Sequence, residues 1–290
     1  MEVKPYEWMV TFTPQKEWIS GRGLLLWLAF FFIELGAGLY LVSIMMENPW
    51  GMAAGWLVTL GLGGGLHLLY LGRPFRFWRA VMRPQTSWIS RGMIFLVLFS
   101  ILGTLVLALS LHGFLRETPS TWGGLSLWWK LPAGFLAFVL IVYGGFAMNF
   151  VHALPLWNTA LLPILFVAGG LWGGLESALG LQLLSGHSGP AEQIESWIRA
   201  FMLGYVWLIV VYLWSSRYGR PAGKKSAAEF LHGSLSLVFY TLVVFAGMIV
   251  PLSISLYSYK SGLGATPVSL LYLGILCGLA GDLAMRFCIL

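Results

Sequence analysis

The sequence predicts an all-α membrane protein of eight transmembrane helices arranged as two four-helix bundles. Three observations predict it. Hydrophobic residues make up 58% of the 290 and charged residues 10%, against roughly 45–50% and about 25% in soluble domains. The apolar residues gather into eight stretches, each near the roughly 20 residues that cross a hydrocarbon core. The lysines and arginines gather in the loops between them. A chain of this length with so little polar surface cannot clothe a soluble domain. The net charge of +6 follows topology and does not form a nucleic-acid-binding face.

In chain order the stretches are 24–46, 51–72, 92–111, 131–150, 156–178, 197–214, 233–257 and 267–290. Residues 1–23 form an N-terminal tail, 24–150 a first bundle and 151–290 a second. No cleavable signal is expected, because the first apolar run lacks a small-residue cleavage site and outlasts a signal core. Stretch 1 holds Glu34 midway and the Gly36–Gly38 turn. Stretch 2 holds Gly61, Gly63, Gly64 and Gly65, then His67 five residues before its end. Five arginines follow before or at the start of stretch 3: Arg73, Arg76, Arg79, Arg83 and Arg91. Tyr143 lies late in stretch 4. Stretch 5 carries Gly169, Gly170, Gly173 and Gly174, with Glu176 near its end. Such glycines either let helices approach closely or line a cavity beside a flat ligand. Stretch 7 contains Pro251, and stretch 8 contains Asp282 and Arg286. Trp50, Trp56, Trp128, Trp129, Trp197, Trp214 and Tyr257 sit near stretch ends as interfacial anchors.

One membrane face receives three basic residues from the tail, five from the loop after stretch 2 and four from the loop after stretch 6, while the other receives Arg116, Lys130 and Lys260. The positive-inside rule therefore places both termini in the cytoplasm. Cys277 and Cys288 belong to no CxxC or CxxCH spacing. Neither an iron–sulfur cluster nor c-type haem in this chain has support, and no metal site is expected.

Chemistry is expected where ionisable groups enter the bilayer, since each costs about 2.5 kcal/mol or more near its centre. Asp282 and Arg286 are one turn apart and form either a structural salt bridge or, with Glu176, part of a proton relay. Glu176 reads equally as interfacial. His67 lies about five residues from the basic face and Tyr143 about seven, which at a 1.5 Å rise puts them at similar depth. Glu34 is some ten residues in. A quinone head group needs donors for two carbonyl oxygens and a route for protons, which His67, Tyr143 and Glu34 supply. The alternative is that His67 and Tyr143 are ordinary interhelical hydrogen bonders. Trp27, Phe30 and Tyr70 complete the expected ring contacts, and Arg73 reaches a head group or a lipid phosphate. Arg76, Arg79 and Arg83 are either topogenic or part of a partner-docking face.

The segment LGRPxRFWRxxxxPxxSWISRG over 71–92, the Gly36–Gly38 turn, Tyr143-Gly-Gly-Phe and Pro155-Leu-Trp-Asn-Thr-Ala-Leu-Leu-Pro together resemble the NrfD family. This is the membrane-anchor family of polysulfide-reductase-type enzymes, and the likeness spans essentially the whole sequence, including 281–286. The resemblance implies a quinone-reactive subunit of a prokaryotic inner (plasma) membrane, in enzymes of anaerobic respiration. It implies menaquinone or ubiquinone as the bound substrate, with no haem and no iron–sulfur cluster in this chain. The implied partners are a ferredoxin-like iron–sulfur subunit and a molybdopterin-containing catalytic subunit, which acts on the terminal substrate. A helix 4 tyrosine contacts the quinone ring in the family, and Tyr143 matches it. Polar helix 1 positions used by some relatives are Leu26 and Phe30 here, with Glu34 as the replacement. Many relatives dock their partner on the outer face, whereas the charge count puts the arginine loop inside.

Two other classes stay open. A b-type cytochrome needs paired histidines at one depth, but His112, His152, His187 and His232 lie in loops or flanks. A secondary transporter would be expected to show an internal repeat, and none is evident beside Pro251.

Overall fold

The computed structural model describes residues 15–71, 73–115, 127–152, 154, 156–185, 191–219 and 221–290. Readings that fall on Lys4, Gly72, Arg116, Pro155, His187 and Arg220 lie outside the described residues. The architecture is all-α: eight helices are long and apolar enough to cross a membrane, and no strand occurs among the described residues. They are α1 (Gly23–Met45), α2 (Pro49–Tyr70), α3 (Trp88–Phe114), α4 (Leu127–Asn149), α5 (Leu161–Ser185), α6 (Ala191–Tyr218), α7 (Ser236–Ser261) and α8 (Val268–Ile289).

Helix boundaries differ from the apolar stretches where polar residues extend a helix or apolar ones build a turn. α6 begins at Ala191, not at 197, because Arg199 pairs with Glu195 one turn earlier at 3.0 Å. That pairing keeps charged residues in a helical turn which hydropathy assigns to a loop. Conversely, the apolar start expected at 156 is a buried turn. Trp157 Nε1 donates to the Ile289 carbonyl at 2.7 Å, and Tyr212 OH donates to the Leu156 carbonyl at 2.7 Å. Asn149 Nδ2 reaches the Thr159 carbonyl at 2.6 Å. α5 accordingly starts at Leu161 and continues to Ser185. This places Glu176 well inside the span and buried, not at the interface. The loop after α6 contains a further helix, Pro221–His232, and the arginine loop contains a 3₁₀ segment, Pro74–Met82. α2 is started by Asn48, whose Oδ1 accepts from Gly51 N at 3.1 Å ahead of Pro49.

The helix packing runs through α1 and α5, the two most buried spans. A Cβ on Gly38 would overlap the Gly170 carbonyl, and one on Gly174 would overlap the Gly38 backbone. Only hydrogen at these positions lets the two backbones touch, which is how membrane helices gain dispersion energy. α1 also packs on α2 and α4, and α5 on α4, α6 and α8. α8 meets α7 at another such contact, Gly281 against Gly247. α2 widens into π-helical turns over Leu57–Gly64, and α7 does so over Phe239–Ile249.

Candidate functional site

A cavity of about 420 Å³ lies between α1, α2, α3 and α4 toward the end that carries the arginine loop. That size suits a small aromatic ligand. Its walls are almost wholly apolar: Leu26, Phe30 and Ile33 from α1, Leu60 and Leu68 from α2, Met93, Leu96 and Val97 from α3, and Leu140 and Ala147 from α4. Two tryptophans close the loop end, Trp18 and Trp157, packed edge to face at 5.1 Å.

The few polar groups in the lining are differently occupied. Trp157 Nε1 is engaged by the Ile289 carbonyl, and Ser100 Oγ donates to the Val97 carbonyl at 2.7 Å. His67 Nδ1 lies 3.3 Å from the Gly63 carbonyl. A carbonyl only accepts, so in this contact Nδ1 carries the hydrogen and Nε2 of the neutral ring keeps its lone pair. The Tyr143 hydroxyl has no protein hydrogen-bond partner among the described residues. The two rings are spaced by Phe30, which meets His67 edge-on at 5.4 Å and Tyr143 at 6.1 Å. The cavity thus offers the His67 lone pair as an acceptor and the Tyr143 hydroxyl as a donor, with the Tyr70 hydroxyl and Trp18 Nε1 as further polar groups in an apolar surround.

Two glycines make room for it. A Cβ on Gly92 would overlap the Tyr143 ring, so any larger residue there pushes the phenol away. Gly64, on the π-helical stretch of α2, is itself part of the lining. Of the glycines expected to serve packing or a flat ligand, Gly170 and Gly174 serve packing and Gly64 lines the cavity. The importance of Gly92 is present in the sequence only as the last letter of the arginine-loop motif.

Of the residues expected at the site, His67, Tyr143, Phe30 and Tyr70 line the cavity together. Trp27 does not; it packs edge-on against Phe287 at 5.6 Å, with its Nε1 unpartnered. Arg73, Arg76, Arg79 and Arg83 are exposed along the loop, and Arg79 stacks over Trp78 at 5.4 Å. Arg91 instead ties the loop down, donating to the Pro84 and Gln85 carbonyls at 2.7 and 3.0 Å. Among the described residues, His67 is the only histidine in the cavity lining. Among the described residues no group of three or more His, Cys, Asp and Glu could hold a metal ion.

Glu34 is also absent from the lining. It lies one helical turn beyond Phe30 on α1 and forms an ion pair with Arg286 of α8. Arg286 further reaches Asp282 Oδ1 at 3.4 Å and stacks over Phe166 at 3.9 Å. Tyr205 of α6 donates to the same Asp282 oxygen at 2.5 Å. Gly169 leaves the space these charges occupy, and the Glu176 carboxylate lies nearby against Gly278. Glu34 Oε2, Glu176 Oε2, and Arg286 Nε and Nη1 have no protein hydrogen-bond partner among the described residues. This polar centre is separated from the cavity by two rings. A Cβ on Gly144 would meet Phe166 at 2.7 Å and Phe30 at 3.3 Å, so the ring under Arg286 and the ring beside His67 converge there.

Comparison with known proteins places this geometry. The sequence matches the family described as "Polysulphide reductase, NrfD" over residues 19–290. It is 26% identical to the C subunit of polysulfide reductase from Wolinella succinogenes over 294 aligned positions, covering 90% of each protein. It is 25% identical to protein NrfD of Escherichia coli over 292 positions, covering 90% of this sequence and 91% of the other. A homologue of NrfD in Haemophilus influenzae is 26% identical over 234 positions, covering 71% of this sequence and 70% of that one. The match takes in every membrane helix, the arginine loop and the cavity they enclose, and on that ground this multi-pass membrane protein belongs to the NrfD family.

Proposed function

We propose that this protein is the quinone-reactive membrane subunit of a multi-subunit oxidoreductase. It exchanges electrons between menaquinone or ubiquinone in the bilayer and a ferredoxin-like iron–sulfur subunit of a molybdopterin enzyme. One observation carries the reading: an apolar cavity at membrane depth whose inner wall presents a histidine lone pair and a phenol donor. That one relative is named as the C subunit of polysulfide reductase supports a role as one part of a larger redox enzyme.

In the oxidising direction a quinol loses two electrons and two protons. His67 Nε2 accepts one hydroxyl proton as general base, while the Tyr143 hydroxyl holds the other quinol oxygen and passes its proton on. Both electrons leave to the partner's nearest redox centre. Quinone reduction runs the same transfers backwards. Tyr70 and Phe30 flank the ring. Glu34, Asp282, Tyr205 and Glu176 form a cluster behind the Phe30 and Phe166 rings with Arg286 holding the carboxyl groups in place, and the outgoing proton reaches Glu34 through water that enters beside those rings, from where the cluster continues the route. Arg76, Arg79 and Arg83 present a basic face for the iron–sulfur subunit, with Arg73 at its edge. Both termini and this loop face the cytoplasm.

The test is turnover of a quinol analogue by the complex that co-purifies with the tagged protein in mild detergent. Replacing His67→Ala and Tyr143→Phe together should lower turnover by about 10²-fold or more with the complex still assembled. Turnover unchanged in the assembled double variant would refute the site, and a protein that purifies without a redox partner would refute the subunit reading.

A further inference from the structure

We infer that the cavity opens sideways into the bilayer between α2 and α3, and that a long isoprenoid tail on its ligand leaves through this gap. The inference rests on the quinone reading of the same cavity and adds the path and the tail.

Three sides of the cavity are shut. α1 and α4 wall it with side chains that are almost fully buried, Leu26, Phe30, Leu140 and Tyr143. The loop end is stopped by the Trp18–Trp157 pair, while Phe77 of the 3₁₀ segment, packed beside the α2 and α3 ends and 38% exposed, belongs to the open side. The fourth side differs. There the lining residues Leu68 of α2, Leu71 just past its end, and Ile89 and Val97 of α3 are 36%, 42%, 58% and 40% exposed. A residue that both lines a cavity and meets the surroundings marks a mouth, and in a membrane span the surroundings are acyl chains.

The helix geometry explains the mouth. α2 packs on α3 along Pro49–Trp56, where Trp56 Nε1 donates to Thr104 Oγ1 at 2.9 Å. Past the π-helical turns, the Gly65–Tyr70 part of α2 no longer packs closely on α3. A Cβ on Gly65 would meet nothing within 4 Å. The two helices are therefore pinned at one end and splayed at the other, a wedge whose open end is level with His67.

The chemistry grades along the wedge. The polar groups of His67 and Tyr143 sit at the inner wall, and the mouth is apolar, formed by Leu68, Leu71, Ile89 and Val97 with Phe77 beside them. A ligand that fits both ends is an amphiphile with a flat polar head and a branched hydrocarbon tail. Its tail stays in lipid while the head docks, so it never crosses the Trp18–Trp157 stopper.

Two measurements on the purified complex in lipid nanodiscs test this. A quinone carrying a photoreactive group partway along its tail should label peptides covering Gly65–Tyr70 and the first turns of α3, and excess tail-less quinone should compete the label away. Label on the N-terminal segment or the Trp157 turn would overturn the lateral path. The second compares KM for an isoprenoid quinol and a tail-less one in Leu68→Trp/Ile89→Trp, with Leu105→Trp on the lipid face of α3 as a size control. The double variant should raise KM for the long-tailed substrate at least about tenfold relative to the tail-less one, the loss of roughly two buried methylenes. An equal change for both substrates would overturn the tail path. Failure of either quinol to react in the unaltered complex would instead sink the quinone reading itself.

Discussion

Arg286→Met is the most informative single change in the interior. The side chain is 2% exposed, pairs with Glu34, lies 3.4 Å from Asp282 and covers the Phe166 ring at 3.9 Å. Methionine fills much of the same volume without charge. Its cost comes from what stays behind: two carboxylates from α1 and α8 facing each other in an apolar interior with no cation. Removing one partner of a buried ion pair costs about 3–5 kcal/mol. Glu34→Gln is milder, because Arg286 keeps Asp282, and Asp282 keeps the Tyr205 hydroxyl. The loss there is one charge-assisted hydrogen bond, about 1.5–3 kcal/mol. The triple variant Glu34→Gln/Asp282→Asn/Arg286→Met removes the ion pair and both carboxylates that Arg286 contacts, leaving Glu176, and should recover most of the Arg286→Met loss, since neutral replacement of a buried ionic group is often tolerated. The assay is reversible unfolding of the detergent-solubilised protein by titrated SDS, followed by circular dichroism. A result for Arg286→Met within about 0.5 kcal/mol of the unaltered protein would refute the claim that this ion pair is buried and matched. So would a triple variant less stable than the single one.

Gly92→Ala should leave assembly intact and lower quinol turnover by about tenfold or more, because the added methyl displaces the Tyr143 ring; turnover within twofold of the unaltered complex would detach Tyr143 from the reaction. For sidedness, Gln85→Cys in a Cys277→Ser background places one thiol on the exposed arginine loop, with Cys288 buried. A membrane-impermeant maleimide should label it in inverted vesicles and not in intact cells, and the opposite pattern would put the loop and both termini outside.

The spans are legible in the sequence because hydropathy over about 20 residues is a strong signal. Depth is legible too. Counting residues from the basic face places His67 and Tyr143 at one level, and both line the same cavity. What a count along a helix does not contain is rotation about its axis against neighbours. Glu34 follows Ile33, which lines the cavity, but it is rotated by about 100° from that residue and meets Arg286 from the far end of the sequence. No local pattern encodes a partner 252 residues away. Hydropathy leaves Glu176 near a span end, equally interfacial or functional, because the apolar stretch read from the sequence closes at 178 while the helix continues to Ser185. Composition draws Trp157 into a helix because a buried turn and a buried helix look alike when tertiary hydrogen bonds, here to Ile289, satisfy the turn.

A division at residue 150 does not describe where the polar interior lies. The ion cluster takes Glu34 from before that point and Glu176, Tyr205, Asp282 and Arg286 from after it, while α1 and α5 touch backbone to backbone at Gly38 and Gly170. α1 therefore belongs to both sites at once. Phe30, against His67 and Tyr143, and Glu34, against Arg286, are one helical turn apart on it. Phe30→Ala and Glu34→Gln should therefore be non-additive in the same unfolding assay, whereas additive losses would show the two sites to be energetically independent.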